Sequence, residues 1–77
     1  MIDPTQIRAA RAILGWTMED LSGKAGVSLA SIKNIERGVT DPRASTLRAI
    51  QGALEDGGVI FLDAGDVRPG GKGVRLK

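Results

Sequence analysis

The residues of this sequence with the most distinctive chemistry stand close together in the stretch 28–34. They combine side chains that hydrogen-bond with side chains that only pack: Ser28, Leu29, Ala30, Ser31, Lys33 and Asn34. An asparagine can form two hydrogen bonds with the edge of adenine, and a lysine can reach guanine acceptors or a phosphate. Leucine and alanine can pack on the methyl group of thymine. The chemistry that this set offers is noncovalent recognition of base edges.

Two short helices joined by a tight turn are predicted around that set. Thr17 is a good N-cap residue, and Asp20 three positions later completes a capping box, so a helix is expected to start directly after Thr17. Gly26 tolerates a positive φ and ends this helix. Ser28 then caps a second helix, which Gly38 ends. Two such helices are the components of a helix-turn-helix, whose second helix lies in the DNA major groove. Any helical hairpin offers similar spacing, so this geometry alone leaves other functions open.

One motif makes the interpretation more specific: L-x-x-K-A-G-V-S-x-x-x-I-x-x-I-E-x-G, from Leu21 to Gly38. It resembles the helix-turn-helix of the Cro/repressor (XRE-like) family of small bacterial and phage transcription regulators, and the resemblance covers residues 7–54. The resemblance implies a mainly α, four-helix fold and sequence-specific binding of double-stranded DNA by a dimeric repressor or autoregulator. The family often carries glutamine or arginine where this chain has Leu29 and Ala30. We therefore expect recognition partly through apolar contacts and DNA shape.

The alternative function is that of a protein-binding module with the same fold. Small members of the family also act as antitoxins or anti-activators, and an exposed Leu29 would then contact protein. Salt dependence separates the two functions, because DNA affinity falls steeply as salt rises and an apolar protein interface does not weaken in that way.

Contacts with DNA phosphates are expected from four residues beside the second helix: Thr17, Met18, Arg37 and Arg43. In the family a glutamine commonly stands at position 18 and binds a phosphate. A methionine cannot donate a hydrogen bond, so the Thr17 hydroxyl is expected to compensate. Arg43 matches a family position that reaches the DNA backbone or the minor groove. Arg37 is near enough to help, although a solvated surface charge is an equal alternative for it.

Two residues near the first helix are expected to act structurally. The resemblance implies an ion pair between Arg11 and Glu36, and the alternative is an Arg11 side chain that reaches solvent. Trp16 precedes an N-cap, where a large apolar residue usually packs against the helix or fills the core.

Helices are also predicted on both sides of the helix-turn-helix. Asp3 as N-cap, a following proline and Gln6 in the capping-box position predict a first helix that runs to about Leu14. Ser45 can cap a fourth helix over 46–55. We therefore expect residues 1–56 to form the helix-turn-helix domain.

Residues 57–77 are expected to form a C-terminal β extension. Val59–Leu62 is a β-branched and aromatic run, and 73–77 alternates apolar and basic residues, so a hairpin across the glycine-rich connector 64–73 is predicted. A lone hairpin is marginal in water, and its first strand is apolar on both faces. We expect a sheet shared between the subunits of a homodimer; the alternative is a hairpin folded back on its own domain. The expected interface consists of Val59, Ile60, Phe61, Leu62, Val74 and Leu76.

Length and composition limit the remaining possibilities. A chain of 77 residues is a small domain with little buried surface, for which dimerisation is a common source of stability. The net charge is only +2, so the distribution of cations matters more than their sum. Histidine and cysteine are absent, so we expect no enzymatic activity, no metal site and no cofactor. No apolar run approaches the ~20 residues that cross a membrane. A cytoplasmic protein without membrane contact is therefore expected.

Overall fold

The computed structural model describes residues 2–62 and 73–76 of the chain. Its elements are α1 (Pro4–Leu14), α2 (Met18–Ala25), α3 (Leu29–Arg37), α4 (Ala44–Gly57), β1 (Val59–Leu62) and β2 (Gly73–Leu76). The predicted fold class, four helices followed by a short strand pair, is confirmed. Most of the predicted glycine-rich connector lies outside the described residues.

The first three helices begin where the capping residues predicted. The Asp3 side chain accepts a hydrogen bond from the Gln6 backbone N–H at 2.8 Å, and the Gln6 side chain accepts one from the Asp3 backbone N–H at 2.9 Å. Thr17 and Ser28 cap α2 and α3 in the same way, through bonds from the backbone three residues later. Gly26 adopts φ +68° at the turn, a left-handed conformation that costs other residues energy. The helix-turn-helix geometry therefore follows from local sequence.

The prediction for α4 was wrong at both ends. The helix starts at Ala44 rather than at residue 46, and its N-cap is Arg43, whose side chain makes no capping hydrogen bond. Arg43 is already in the extended conformation (ψ 150°), so Ser45 falls inside the first turn and cannot serve as the cap. At the other end the helix continues through Gly57 and stops at Gly58, which has φ +116°. The expected domain boundary after residue 56 thus falls within the last turn of α4.

A single core draws on all four helices and on the first strand. The largest fully buried side chains come from each of these elements: Ile7, Leu21, Ile32, Ile50, Leu54 and Val59. Buried apolar side chains recur at a three-residue interval in α1 and α3 and at a four-residue interval in α4, so each of these helices buries one face. The core thus fixes the relative positions of α2 and α3.

Trp16 packs against this core, as predicted, and its ring lies between the end of α1 and the end of α4. A Cβ atom at position 57 would lie 2.7 Å from Cζ2 of Trp16, so the indole needs a glycine there. The ammonium group of Lys24 lies 4.9 Å from the centre of the Trp16 ring. The tryptophan is therefore a packing residue with one cation on its outer face.

The two strands pair with each other in antiparallel register, with Val59 opposite Leu76. Gln6 attaches this hairpin to α1. Its side-chain amide donates to the backbone oxygen of Leu62 at 3.0 Å and to that of Gly73 at 3.1 Å. The capping glutamine of α1 thus also satisfies one carbonyl from each strand.

The burial of the hairpin corrects one part of the expected dimer interface. Val59 is fully buried in the core of its own chain, because the strand packs against α1 and α4, so its side chain is not available to a second copy. Phe61 and Val74 also pack against the core and are half-buried. The hairpin also keeps accessible apolar surface at Ile60, Leu62 and Leu76, and Leu76 is 57% exposed.

Candidate nucleic-acid interface

The outer side of α3 carries the six residues that were predicted to contact bases. Ile32, Ile35 and Glu36 are buried and hold the inner side of the helix against the core. On the outer side Ser28, Ala30 and Lys33 are exposed, whereas Leu29, Ser31 and Asn34 are half-buried. The helix therefore presents one ridge of donors, acceptors and small apolar groups.

The two serines at the start of α3 have different tasks. The Ser28 oxygen accepts the Ser31 backbone N–H at 3.2 Å, and the Ser28 hydroxyl donates to the Ser31 oxygen at 2.9 Å. Ser28 is thus occupied as the helix cap. The Ser31 hydroxyl still has its own hydrogen to donate, so it is the better candidate for a base contact.

Arg11 and Glu36 form the ion pair that fixes α3 against α1. The Arg11 Nε and Nη2 atoms each lie 2.8 Å from a Glu36 carboxylate oxygen, and Nη1 donates to the Trp16 backbone oxygen at 3.0 Å. Glu36 is only 6% exposed. The hydrogen bonds to Glu36 raise the pKa of Arg11, although burial opposes the shift. A two-pronged bond of this kind sets the orientation of the helix as well as its distance.

Arg8 is a residue that the sequence analysis missed. Its guanidinium donates to the backbone oxygen of Glu36, and its other terminal nitrogen lies 3.3 Å from the Thr5 hydroxyl oxygen. The only available signal was that Arg8 stands three residues before Arg11, on the same side of α1. The backbone contact with α3 depends on tertiary structure, so no sequence pattern reveals it.

A cleft on one side of α3 brings the missed arginine together with predicted residues. This α1-side cleft has a volume of about 490 Å³ and is lined by Arg8, Arg11, Met18, Lys33, Glu36 and Arg37. Four of the six side chains are cationic and one is a carboxylate that is already paired with Arg11. The cleft therefore has the charge and the donors for an anion.

A second cleft lies between α3 and the start of α4. This α4-side cleft has a volume of about 380 Å³ and is lined by Ser31, Asn34, Ile35, Thr40, Asp41, Pro42, Arg43 and Thr46. Arg43 is exposed, α4 has no side-chain cap, and its first turn contains no acidic residue. In the part of the chain that the structure describes, no side chain caps the backbone N–H groups at the start of α4, and these groups lie beside a cation.

The start of α2, where Thr17 and Met18 were expected to bind a phosphate, is arranged differently. The Thr17 oxygen accepts the Asp20 backbone N–H at 3.0 Å, and the Asp20 carboxylate accepts the Thr17 backbone N–H at 2.9 Å. These bonds from Thr17 lower the pKa of Asp20. Glu19 and Asp20 place two negative charges in the first turn, and Met18 packs against the core. The local charge does not favour a phosphate there.

Two further observations complete the description of the site. The described residues contain no group of three or more histidine, cysteine, aspartate or glutamate side chains that could hold a metal ion. None of the described helices has the length and apolar character needed to cross a membrane.

Comparison with known proteins identifies the family. Residues 7–55, more than half of the chain, match the HTH_3 helix-turn-helix family model. The chain is 39% identical over 61 residues to the transcriptional regulator ClgR of two Mycobacterium tuberculosis strains, an alignment that covers 78% of this chain and 54% of the relative. The chain thus spans about half the length of the curated relatives it matches.

The three-dimensional comparison agrees with the sequence comparison. The chain is similar to the solution NMR structure of the DNA-binding domain of the P22 C2 repressor, with a TM-score of 0.64 and 33% identity. The match covers 71% of this chain and 72% of that one. The predicted resemblance to Cro/repressor-type regulators is confirmed: the chain belongs to the HTH_3 helix-turn-helix family, and it is a domain with the DNA-binding repressor fold.

Proposed function

We propose that this chain is a sequence-specific regulator that binds double-stranded DNA with α3 in the major groove. The observation that carries the proposal is the outer ridge of α3, whose donors and apolar groups are held in place by the Arg11–Glu36 pair. The relatives support it, because a repressor DNA-binding domain and a transcriptional regulator share the fold or the sequence. The regulator acts in the cytoplasm as a repressor or autoregulator.

The base contacts are assigned to the middle of the ridge. Asn34 is half-buried and lines the α4-side cleft, and its side-chain amide can pair with the N6 and N7 atoms of an adenine. Ala30 is exposed and small enough to pack against a thymine methyl group. Few polar side chains reach the bases in this arrangement, so DNA shape contributes to specificity.

The phosphate contacts are assigned to Arg37 and Arg43 rather than to Thr17 and Met18. Both arginines are exposed, and they line the two clefts on either side of α3. A cation beside the uncapped start of α4 adds its charge to that of the helix N-terminus, which is the geometry that favours a phosphate. Contacts of this kind position the protein on the duplex and leave the choice of bases to α3.

The proposed active form is a homodimer. One module of this size buries roughly 600–1,000 Å² on DNA, and specific affinity generally requires more. Within the described residues each strand of the hairpin pairs with another strand on one edge only, and Ile60, Leu62 and Leu76 offer accessible apolar surface on the hairpin. Pairing two hairpins would relate the subunits by a twofold axis. The two α3 helices would then bind an inverted repeat with half-sites about 34 Å apart.

Selection from random duplex DNA tests the proposal. The purified chain is incubated with the pool at low salt, and the retained molecules are sequenced while the mass of the protein is measured in solution. The expected result is an enriched inverted repeat with half-sites about one helical turn apart, bound by a protein of twice the chain mass. An unenriched pool would contradict sequence-specific binding, and a monomer bound to a single half-site would contradict the dimer.

A protein-binding function is the second candidate, and one observation favours it. Val39, directly after α3, is 65% exposed, and the half-buried Leu29 adds apolar surface at the other end of the same helix. A toxin or an activator with a complementary apolar surface would cover these residues. Binding to such a partner should persist at a salt concentration that releases DNA.

A further inference from the structure

The two clefts lie on opposite sides of α3. Ser31, Asn34 and Ile35 line the α4-side cleft, and Lys33, Glu36 and Arg37 line the α1-side cleft. Each set follows helical spacing, and at 3.6 residues per turn the two sets are about half a turn apart around the helix axis. The base-contacting ridge of α3 runs between them.

This arrangement matches the cross-section of a duplex. A helix that enters the major groove has a sugar-phosphate strand on each side, because the groove is only about 12 Å wide. The α4-side cleft already has Arg43 for one strand. The α1-side cleft then faces the other strand, and its residues decide whether that strand is held.

The cations of the α1-side cleft are available for such a contact. In the described part of the chain the one ion pair within 4.0 Å joins Arg11 and Glu36, so Arg8, Lys33 and Arg37 have no carboxylate partner there. Glu19 acts on Arg11 only through its charge. The cleft thus keeps a positive excess even though Glu36 lies at its base.

Arg8 differs from the other two cations because it is held in place. Its guanidinium donates to the Glu36 backbone oxygen and to the Thr5 hydroxyl, and these bonds use only part of its five N–H donors. A guanidinium that is already oriented loses less conformational freedom when it binds a phosphate. Its charge-assisted bonds to a phosphate oxygen are also stronger than those between neutral groups.

We propose that the α1-side cleft binds a phosphodiester of the second DNA strand, with Arg8 as its anchoring ligand and with Lys33 and Arg37 beside it. The assignment rests on the proposed DNA-binding function and moves Lys33 from the bases to the backbone. It makes α1, which lies outside the helix-turn-helix, part of the DNA-binding surface. Each strand that borders the groove is then held from its own side of α3.

Salt-dependent affinity measurements test this site. The Kd for the selected duplex is measured over a range of salt concentrations for the wild-type chain, for Arg8→Gln and for the control Lys24→Gln. Lys24 is exposed on α2 and lies over the Trp16 ring beside the end of α4, so the control loses the same charge outside both clefts and outside the hairpin. Thermal unfolding shows whether each variant is folded.

The expected result is specific to Arg8. Arg8→Gln should weaken binding roughly tenfold and reduce the slope of log K against log salt by about 0.9, with unchanged base preference. Arg8→Lys keeps the charge and should retain most of the salt slope while losing affinity. A further series of duplexes each carries one uncharged methylphosphonate in place of a phosphate. At one position this replacement should weaken binding of the wild-type chain and leave binding of Arg8→Gln unchanged.

Two different failures can be distinguished. If the wild-type chain binds its selected duplex but Arg8→Gln and Lys24→Gln behave alike, Arg8 is not a phosphate ligand and the proposed function stands. A salt slope that is unchanged in both Arg8 variants leads to the same conclusion. If the wild-type chain shows no sequence-specific binding, the proposed function fails and the assignment of the cleft fails with it.

Discussion

The helices α2 and α4 both begin near α3, but their N-termini are arranged in opposite ways. At α2 the capping box pairs the backbone N–H groups of Thr17 and Asp20, and two carboxylates occupy the first turn. At α4 the N-cap is Arg43, with no side-chain hydrogen bond and no acidic residue in the first turn. The α2 start is thus a closed end, with a cap and two negative charges, and the α4 start is an open end that leaves its donors and a cation to solvent.

The two helix ends are therefore expected to serve different purposes, one the stability of the fold and the other the binding of DNA. Closing a helix end stabilises the fold, because it satisfies N–H groups that would otherwise need water. The carboxylates of Glu19 and Asp20 at the α2 start also repel a phosphate, so this end is less suited to bind one. We infer that the α2 start and the Arg11–Glu36 pair support the fold, and that the α4 start contacts DNA.

The largest expected effect concerns the ion pair between Arg11 and Glu36. Glu36→Gln leaves Arg11 without its carboxylate in a largely buried position, so the free energy of unfolding should fall by about 3 kcal/mol. Chemical denaturation measures the change, with Asp56→Asn as the control on an exposed carboxylate at the end of α4. A loss no larger than that of the control would show that the pair does not support the fold.

On the outer ridge of α3, Asn34→Ala should cost roughly 1–3 kcal/mol of binding free energy on the best DNA site. The reason is the loss of the two hydrogen bonds assigned to an adenine edge. A repeated selection with the variant should show weaker preference at one base pair of each half-site, and the unfolding free energy should stay close to that of the wild-type chain. A uniform loss over all positions would mean that Asn34 contacts the backbone instead.

At the start of α4, Arg43→Ala should weaken binding to every DNA sequence by roughly tenfold and lower the slope of log K against log salt by about 1. Its side chain has no hydrogen-bond partner in the described residues, so the unfolding free energy should not change measurably. Binding assays on the selected duplex and on a scrambled duplex measure the effect. If the base preference changed instead, the assignment of Arg43 to a phosphate would be wrong.

The reverse pattern is expected at the closed end. Thr17→Ala removes the α2 cap and should lower the unfolding free energy by about 1 kcal/mol, while DNA affinity stays within roughly twofold. Thr40→Ala is the matched control for the unfolding measurement, because Thr40 is exposed and caps no helix. Since Thr40 lines the α4-side cleft, the DNA affinity of Thr17→Ala is compared with that of the wild-type chain. A tenfold loss of affinity in Thr17→Ala would restore the phosphate contact that the sequence predicted at this end.

The smallest expected effect is the pH dependence of the α2 cap. Hydrogen bonds from Thr17 hold the pKa of Asp20 below its ordinary value of 3.8, so the unfolded chain binds this proton more tightly than the folded chain does. The contribution to stability is therefore present above about pH 4 and is lost as the pH falls through the lower, folded-state pKa. Thermal unfolding midpoints between about pH 2 and pH 6 should show a shallower acid decline in Asp20→Asn. Asp56→Asn, which alters an exposed carboxylate at the end of α4, is the control.

The sequence predicted the parts of the fold that depend on neighbouring residues. The capping boxes at Asp3 and Thr17, and the turn at Gly26, follow from side-chain types at fixed spacing, so three helices begin and end as expected. The same rule failed at α4. Ser45 is a better capping side chain than Arg43, but the extended backbone at Arg43 decides where the helix begins.

The features that the sequence could not predict depend on distant contacts. Gln6 bonds carbonyls 56 and 67 residues away, and Arg8 bonds the backbone of Glu36, so local spacing carries no sign of either. Val59 lies in a strand that is apolar on both faces, and only the packing against α1 and α4 shows which face is buried. The sequence therefore predicted the candidate site along α3 and missed the part of it that α1 contributes.

Titration of the isotope-labelled chain with its selected duplex, followed through backbone amide signals, tests directly whether the start of α4 rather than the start of α2 contacts DNA. The largest shifts are expected along the ridge of α3 and at the amides of Ser45 and Thr46, with small shifts at Glu19 and Asp20. Shifts concentrated at the α2 start, with the first turn of α4 unaffected, would contradict the distinction between a closed and an open helix end.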